Sequence, residues 1–339
     1  MRFREEKRLR RKDALKAGVA AAVALALLAG GAAALHFWEN DRYATGSDEV
    51  GSAVIAAPEE QKEITYDGST YRQRSGLETY LIMGIDVKGK AVAVDSYEGG
   101  GQADVQMVLV VDDANKTWQV LQINRDTITK VPVLDVLGGV AAYADEQIAL
   151  AHYYGNDREN SCENTALAVS MLLDDQPIDG YFALNMDAVG IVTDLVGGVT
   201  LTVTSDFSEI DPTLVQGEEV TLDGEKALTY VRSRHHIDDQ TNIARMARQR
   251  QFLAALEEKL RQQDSQFAAE AYTALEDYMV TDIASGTAAK IGEKLKQYKQ
   301  LDTLTIDGEN VIENGYWAYH LDESSREATV LQLFYEKVR

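Results

Sequence analysis

Residues 102–127 read QADVQMVLVVDDANKTWQVLQINRDT, and this stretch decides the fold. Its two apolar runs, residues 105–111 and 118–123, have the character of β-strands. The polar residues 112–117 between them are typical of a hairpin turn. A further apolar run, YLIMGI at residues 80–85, precedes them and resembles them. The pattern therefore predicts three strands, which form an antiparallel unit if they are neighbours in one sheet.

Segments with a helical period follow these strands and alternate with short strand-like runs. We expect helices at residues 141–154, 163–173, 187–195, 225–231 and 243–261, and strands at residues 181–184 and 199–203. After residue 264 we expect one or two more helices and a short strand near residues 317–319. This mixture indicates a layered domain of the α/β or the α+β class.

The amino terminus predicts a membrane anchor. Residues 17–35 form an uncharged apolar run of 19, nearly long enough to cross a hydrocarbon core of about 30 Å. Residues 1–16 carry eight basic and three acidic side chains, so the positive-inside rule places them in the cytoplasm. The alternative is a cleaved signal peptide, although the run exceeds the usual apolar core of about 7–15 residues. In either case we expect residues 39–339 to function outside the cytoplasmic membrane.

These patterns divide the chain into five parts. We expect a basic cytoplasmic tip at residues 1–16, a transmembrane anchor at 17–38, a tether at 39–78, the main domain at 79–263 and a carboxy-terminal extension at 264–339. The predicted localisation is the cell membrane, with a single pass and most of the chain extracytoplasmic.

Composition excludes several classes of protein. Lys and Arg number 33 against 55 Asp and Glu, and the resulting charge of −22 argues against non-specific binding to nucleic acid. Hydrophobic residues make up 45% of the chain, which excludes a mainly disordered protein. The single cysteine, Cys162, excludes a disulfide framework and a cysteine-based zinc site.

Three polar residues converge on one edge of the predicted sheet. If the first three strands are antiparallel neighbours, Asp86, Asp104 and Arg125 all lie at the same edge. The loop at residues 87–103 is longer than the usual connection of about 4–6 residues, and such loops are more often functional. The alternative is that these residues only terminate strands, where Asp is common.

Arginines concentrate in a later segment, although the protein is acidic. Arg232 and Arg234 alternate, so in an extended segment both would point to one side. Arg245, Arg248 and Gln249 share one face in the first turns of a predicted helix, where free N–H groups and the helix dipole favour an anion. The alternative is a solvated face whose arginines pair with Asp238, Asp239 and Glu257.

Together the two clusters predict a phosphate or pyrophosphate ligand. Asp86 and Asp104 would hold Mg²⁺, a hard cation that binds few carboxylates together with substrate phosphates. Arg125 and the later arginines would then neutralise the charge that develops during phosphoryl transfer.

Six short motifs occur in order behind the predicted anchor. They are LIMGID at 81–86, QADVQMVLV at 102–110, INRDT at 123–127, DLVGGVTLTV at 194–203, LDGEKALTYVRSR at 222–234 and RMARQR at 245–250. Each motif is weak alone. Through their order and spacing the chain resembles the LytR-CpsA-Psr family of cell-wall enzymes over roughly residues 79–256.

The resemblance implies a fold and an activity. The fold is an α/β/α sandwich with a mixed central sheet and an apolar groove for a polyprenyl chain. The activity is that of a phosphotransferase, with a pyrophosphatase side activity, which moves a glycopolymer from a polyprenyl pyrophosphate carrier to peptidoglycan. Mg²⁺ or Mn²⁺ would be the cofactor, and the partners would be the lipid-linked donor, the peptidoglycan acceptor and the cytoplasmic membrane.

The resemblance also assigns residues by position. Asp86 and Asp104 match the family's metal-binding acids, Arg125 matches its essential arginine, and Asp126 supports that arginine. The residues that match the pyrophosphate-binding positions are Arg232, Arg234, Arg245, Arg248 and Gln249.

The chain departs from the family pattern at three positions. Gln102 stands where the family often has Arg, Asn124 where it has Pro, and Asn242 where it has Asp. We expect these departures to affect substrate and rate more than fold. They also leave room for a protein that binds a polyprenyl phosphate or wall polymer without chemistry. A third hypothesis is a regulator of wall metabolism or transcription that binds a protein partner through residues 264–339.

Overall fold

The computed structural model describes residues 63–91, 101–260, 262–263 and 265–338. The anchor predicted at residues 17–38 lies outside this range. Among the residues described, no helix has the length and apolar character needed to cross a membrane.

The described residues form short strands at both ends of the chain and a larger sheet between them. The strands are β1 (Glu63–Tyr66), β2 (Ser69–Gln73), β3 (Leu77–Ile85), β4 (Ala103–Asp112), β5 (Thr117–Ile123), β6 (Ile128–Leu134), β7 (Val140–Gln147), β8 (Gly180–Asn185), β9 (Val199–Thr202), β10 (Glu219–Leu222), β11 (Met279–Thr281), β12 (Lys299–Gln300), β13 (Leu304–Thr305), β14 (Gly308–Glu313), β15 (Tyr316–Leu321) and β16 (Tyr335–Lys337). The helices are α1 (Arg158–Leu172), α2 (Asp187–Leu195), α3 (Gly224–Arg232), α4 (Asn242–Leu260), α5 (Ser265–Leu275), α6 (Ser285–Gln297) and α7 (Glu323–Phe334).

The three predicted strands form the centre of the main sheet. Tyr80 of β3 pairs with Leu109 of β4, and Val108 of β4 pairs with Leu121 of β5, both in antiparallel register. On one side β8 runs parallel to β3 and β11 antiparallel to β8, while on the other side β12 and β13 run parallel to β5. The sheet is therefore mixed, and the antiparallel unit predicted from the sequence is confirmed.

Alternate residues of the central strands enter two different cores. Ile82 and Met107 belong to a core that packs against α2 to α6, whereas Leu81 and Val108 belong to one that packs against α1 and α7. Successive side chains of a strand point to opposite faces, so a strand buried on both sides reads as a continuous apolar run. Helices cover both faces of the sheet, which confirms the predicted layered α/β class.

Two predicted helices begin at side-chain caps. The Asp157 carboxylate accepts a hydrogen bond from the Asn160 N–H at 2.7 Å, and the Asp223 carboxylate accepts one from the Lys226 N–H at 2.9 Å. Such caps satisfy N–H groups that have no partner within the helix. They fix where α1 and α3 start, and Arg232 is the last residue of α3.

The helix predicted at residues 141–154 is wrong. The first half of that segment belongs to β7, which pairs antiparallel with β6, and a short 3₁₀ helix, Ile148–Ala151, follows it. The alanines of β7 favour a helix locally, but pairing with β6 overrides that weak preference. Strand β6 is absent from the sequence prediction because Pro132 lies inside it, and proline usually argues against a strand.

Residues on both sides of position 263 contribute to the same sheet and cores. Strands β11, β12 and β13 join the main sheet, and α6 and α7 bury apolar side chains in the two cores. The described residues after 264 form three α-helices and a short 3₁₀ helix, Glu276–Tyr278, where the sequence suggested one or two helices. Strand β16 pairs with β2, so the end of the chain meets strands that lie within the predicted tether.

We predict that a chain ending at residue 263 will not fold. The deletion removes Ile291 and Leu295 from one core and Val330 and Phe334 from the other, and it exposes the edge of β5. Circular dichroism should show no cooperative thermal transition for this variant, whereas a control chain ending at Lys337 should melt cooperatively. A cooperative transition in the chain ending at residue 263 would contradict this assignment.

Candidate functional site

The carboxylate of Asp104 lies between two guanidinium groups. Asp104 follows the first residue of β4, and Arg125 follows β5, so the hairpin brings them to one edge of the sheet. Arg125 Nη1 donates to Asp104 Oδ1, and Arg245 Nη1 of α4 donates to Asp104 Oδ2 at 2.7 Å. All three side chains are largely buried, and the contact joins the sheet to the start of α4.

Gln102 links Asp86 to this cluster. Arg125 Nη2 donates to Gln102 Oε1, while the backbone N–H groups of Asp86 and Asp104 both donate to the Gln102 carbonyl at 3.0 Å. The Gln102 N–H donates in return to Asp86 Oδ1 at 2.6 Å. The structure therefore brings Asp86, Asp104 and Arg125 to one edge of the sheet. Gln102, a departure from the family pattern, is an uncharged partner of Arg125.

The carboxylate of Asp126 is buried and its oxygens accept several hydrogen bonds. Gln147 Nε2 donates to Oδ1 at 3.1 Å, and Arg234 Nη1 donates to Oδ2 at 3.0 Å. Arg125 Nε lies 3.3 Å from Oδ1. Burial raises the pKa of Asp126, although Arg125, Arg234 and Arg245 oppose the shift. Asp126 thus orients two of the predicted arginines from inside the protein.

The other two departures bond to each other. Asn242 Nδ2 donates to Asn124 Oδ1 at 2.8 Å, and Asn124 Oδ1 also accepts from the Asp126 N–H at 3.0 Å. Asn242 Oδ1 accepts from Arg245 Nε at 2.9 Å. Both asparagines are buried. A neutral chain of hydrogen bonds therefore orients Arg245 and fixes the backbone beside Arg125.

Arg232 and Arg234 do not lie in one extended segment as predicted. Helix α3 continues through Arg232, and only the next residue, Ser233, turns to an extended conformation. As a result Arg234 reaches Asp126, while Arg232 is exposed at the mouth of a groove. Among the described residues Arg232 has no hydrogen-bond or ion-pair partner, so its guanidinium is available to a ligand.

Arg248 is not placed with the other arginines, although it shares their helix. Its guanidinium is buried, and it donates to Asp238 Oδ2 at 2.6 Å, to Ser205 Oγ at 3.3 Å and to the carbonyls of Tyr230 and Ser233. These contacts fix α4 against α3. Pairing with Asp238 is part of the alternative that the sequence offered, but Arg248 is buried and does not lie on a solvated face.

Gln249 lies between the polar edge and an apolar groove. Its Nε2 donates to the Val231 carbonyl at 3.2 Å, and its side chain lines the groove together with Arg232 and Arg245. The empty space in the groove, including the part open to solvent, is about 1080 Å³. Its walls are apolar residues of the sheet and of α2 to α5: Ile82, Met107, Leu184, Val189, Val192, Leu228, Val231, Phe252, Leu253 and Leu256.

The groove that the resemblance implies is therefore present, with charged residues at one part of its wall. The sequence alone did not identify the lining, because Leu253 and Leu256 follow the same helical stripe as residues of a closed core. Only the packing of α3, α4 and the sheet shows that this stripe borders an open space.

Asp86 and Asp104 fit a hard divalent cation by their donor chemistry. Each Asp104 oxygen accepts one arginine hydrogen bond and keeps further acceptor capacity, and Asp86 Oδ2 has no protein donor among the described residues. No group of three or more His, Cys, Asp or Glu side chains forms a metal cage in that part of the chain. Mg²⁺ often takes only one or two carboxylates and completes its shell with water and phosphate oxygens.

The sequence matches a known protein family over most of its length. The sequence profile of the LytR_cpsA_psr family matches residues 43–334, which is most of the chain. The chain belongs to the LytR-CpsA-Psr family. This confirms the resemblance drawn from the six motifs, and the match extends well beyond them on both sides.

Two relatives are named polyisoprenyl-teichoic acid--peptidoglycan teichoic acid transferase TagU. The protein of Halalkalibacterium halodurans is 32% identical over 165 residues, which cover 48% of this chain and about half, 49%, of that relative. The protein of Bacillus subtilis is 24% identical over 330 residues, or 95% of each chain. The chain is therefore similar to TagU proteins along nearly its whole length.

A solved structure from the same family has a similar fold. The crystal structure of B. subtilis TagV superposes with a TM-score of 0.57 at 24% identity, covering 77% of this chain and 96% of that one. At this identity the likeness supports the mixed α/β fold alone.

If Asp86 is a ligand of Mg²⁺, as the sequence predicts, we expect Gly101→Ala to weaken Mg²⁺ binding about tenfold or more. A Cβ at Gly101 would lie 2.7 Å from Asp86 Oδ1 and 2.5 Å from Val87 Cγ2, so it displaces the carboxylate. Displacing a group that supports a metal ligand typically costs about 10–100-fold in affinity. Isothermal titration of the purified chain with Mg²⁺ measures the change.

Gly89→Ala is the matched control for this substitution. Gly89 also has a positive φ, +85° against +71° at Gly101, but a Cβ there meets no atom within 4 Å. Both variants carry the backbone strain of a left-handed alanine, about 1–2 kcal/mol, so both should melt at a lower temperature. Equal Mg²⁺ affinities for the two variants would show that Asp86 holds no metal.

Proposed function

We propose that this protein is a membrane-anchored, extracytoplasmic transferase. It moves a glycopolymer of the teichoic acid type from a polyisoprenyl pyrophosphate carrier to peptidoglycan. The observation that carries the proposal is the apolar groove whose wall includes Arg232, Arg245 and Gln249. A polyisoprenyl pyrophosphate has matching polarity, because a long apolar chain ends in a strongly anionic head. The TagU relatives supply the class of donor and acceptor through their names.

The arginines of the edge would bind the head group and stabilise the transition state. Arg125 and Arg245 share Asp104, so the three groups together keep one positive charge. Arg232 adds an exposed guanidinium without a protein partner in the described chain. Guanidinium groups suit phosphate because their planar fork donates two parallel hydrogen bonds. Preorganised donors of this kind stabilise the charge that spreads over phosphate oxygens during transfer.

In the reaction, the acceptor hydroxyl oxygen forms a bond to the phosphorus that carries the glycopolymer. The bond from that phosphorus to the bridging oxygen breaks, and polyisoprenyl phosphate leaves. The proton of the hydroxyl passes to the leaving phosphate or to solvent, so charge and atoms balance. Arg125 and Arg245 donate to the phosphate oxygens throughout.

Asp126 is a positioning residue in this proposal. The sequence left open whether it orients Arg125 or accepts a proton from the acceptor. Its oxygens already accept from Gln147 and Arg234, and Arg125 lies beside them in a buried environment. A carboxylate enclosed in this way has little access to a substrate hydroxyl, so orientation of the arginines is the assignment that the geometry favours.

Mg²⁺ or Mn²⁺ would be held by Asp86 and Asp104. When bound, the ion supplies further neutralisation of the pyrophosphate oxygens. The membrane anchor at residues 17–38 would keep the groove close to the lipid phase from which the donor comes.

We predict that Arg125→Ala will lower cleavage of a polyprenyl pyrophosphate by about a thousandfold, the scale typical of arginines that stabilise phosphoryl transfer. Folding should persist, because the ion pair between Asp104 and Arg245 and the ion pair between Asp126 and Arg234 remain. The assay follows phosphate release with a short-chain polyprenyl pyrophosphate, peptidoglycan fragments and Mg²⁺.

Arg72→Ala serves as the control, because within the described residues the Arg72 guanidinium forms only an exposed ion pair, with Glu63. It should cleave the donor like the wild type. If a folded Arg125→Ala variant also cleaves at the wild-type rate, the proposed centre is wrong. Tight binding of the donor by the wild type without cleavage, even with acceptor present, would favour a binding protein instead.

We predict that Leu253→Trp will weaken binding of a long-chain polyprenyl pyrophosphate about tenfold and leave inorganic pyrophosphate binding unchanged. The larger side chain occupies the groove, whereas the arginines stay in place. Leu167→Trp on α1, where the side chain is exposed on the other face of the sheet, is the control. Fluorescence titration measures both affinities. Unchanged long-chain affinity in Leu253→Trp would mean that the chain does not lie in this groove.

A further inference from the structure

A second cavity lies across helix α4 from the apolar groove. It encloses about 550 Å³ between α4, the end of β5 and the segment that runs from β13 to β15. Ile243, Met246 and Arg250 face this cavity, whereas Arg245 and Gln249 of the same helix face the groove. Helix α4 therefore separates two spaces of different character, since the second cavity also has polar walls.

Arg250 is the charged residue of α4 that lines the second cavity. Its Nη1 donates to the neutral Gln122 Oε1 at 2.7 Å. Within the described part of the chain no carboxylate lies within 4 Å of its guanidinium, and its other N–H groups are open to the cavity instead of meeting protein acceptors. Burial lowers the pKa of Arg250, and no neighbouring charge offsets that shift.

The arginines near Arg250 that are not exposed have carboxylate partners. Arg125 and Arg245 share Asp104, Arg234 meets Asp126, and Arg248 meets Asp238. A partly buried cation without a counter-ion costs free energy that hydrogen bonding to a neutral amide recovers only in part. Arg232 also has no protein partner in the described chain, but it is exposed to solvent. Among the arginines here that are not exposed, Arg250 alone lacks a carboxylate partner in the described residues, and we infer that a ligand supplies the anion.

The cavity is next to the proposed centre. Asn124 and Thr127 line it, and Arg125 and Asp126 lie between them in the chain. Tyr319 closes another side, with its hydroxyl donating to the Ile306 carbonyl at 3.1 Å. Asp307 stands exposed at the rim, beyond ion-pair distance of Arg250.

We propose that this cavity binds an oxyanion carried by a glycan chain, with the guanidinium of Arg250 as its cationic partner. The inference rests on the proposed function, because both substrates of that reaction are glycans that meet at the centre. The oxyanion has two sources: a carboxylate of the peptidoglycan acceptor or a phosphodiester of the donor polymer. The shared chemistry is a single negative charge a few atoms from the reacting phosphate.

Binding measurements with two soluble probes test the proposal and separate the sources. The full chain in detergent is titrated calorimetrically with a peptidoglycan disaccharide-peptide, and separately with a short glycerol phosphate oligomer. We expect one probe to bind at least tenfold more weakly to Arg250→Met than to the wild type. Arg250→Lys should stay closer to the wild type, because it keeps the charge. The probe that responds identifies the source of the oxyanion.

Thermal stability provides a second readout. Arg250→Met removes an uncompensated charge and keeps the apolar stem, so its melting temperature should equal or exceed that of the wild type. A loss of several degrees would show that Arg250 is a structural cation and would overturn the proposal. Equal binding of both probes by wild type and Arg250→Met, or binding of neither probe by the wild type, would overturn it as well.

The outcome is independent of the donor assay. Arg250 lies outside the groove, so Arg250→Met should bind polyprenyl pyrophosphate like the wild type. If donor cleavage is absent but one probe binds through Arg250, the proposed function fails and the oxyanion site stands. If cleavage requires Arg125 but neither probe depends on Arg250, the proposed function stands and the oxyanion site is wrong.

Discussion

The carboxylate of Asp104, held between Arg125 and Arg245, is the contact on which the site depends. It joins the end of β5 to the first turn of α4, so it fixes the helix that forms one wall of the groove. A largely buried carboxylate is tolerated when its partners are well placed, and removing one partner from such a pair costs about 3–5 kcal/mol. Two cations share one anion here, which leaves positive charge for a ligand. Stability of the helix position and affinity for an anion therefore have the same origin.

The residue spacing along α4 places two sets of side chains on different faces of the helix, next to two different cavities. Arg245 and Gln249 lie on one face with Phe252 and Leu256, so the charged edge continues into the apolar groove. Met246 and Arg250 lie on another face and border the second cavity. A helix of 3.6 residues per turn places these sets on separate sides without any further element. In the proposed reaction, this one helix would separate the lipid tail of the donor from the glycan portions of the substrates.

The sequence predicted the parts of this arrangement that depend on local pattern. β3, β4 and β5 are buried on both faces, and a tight hairpin joins β4 to β5, so antiparallel pairing in chain order brings Asp86, Asp104 and Arg125 together. The pattern failed where distant partners decide the outcome. Pairing with β6 makes a strand of the alanine-rich β7, and the loop at Asp238 draws Arg248 away from the centre. Helical spacing likewise could not separate groove lining from core at Leu253.

The three departures from the family pattern share a physical feature, because each puts an uncharged side chain in contact with the charged cluster. Gln102 accepts from Arg125, Asn242 accepts from Arg245, and Asn124 accepts from both Asn242 and the Asp126 backbone. An aspartate at position 242 could not donate to Asn124, and it would add negative charge beside Arg245. The amide instead orients that guanidinium without neutralising it. The three departures therefore add neutral hydrogen bonds to the geometry that Asp104 sets, and they leave the net positive charge of the cluster unchanged.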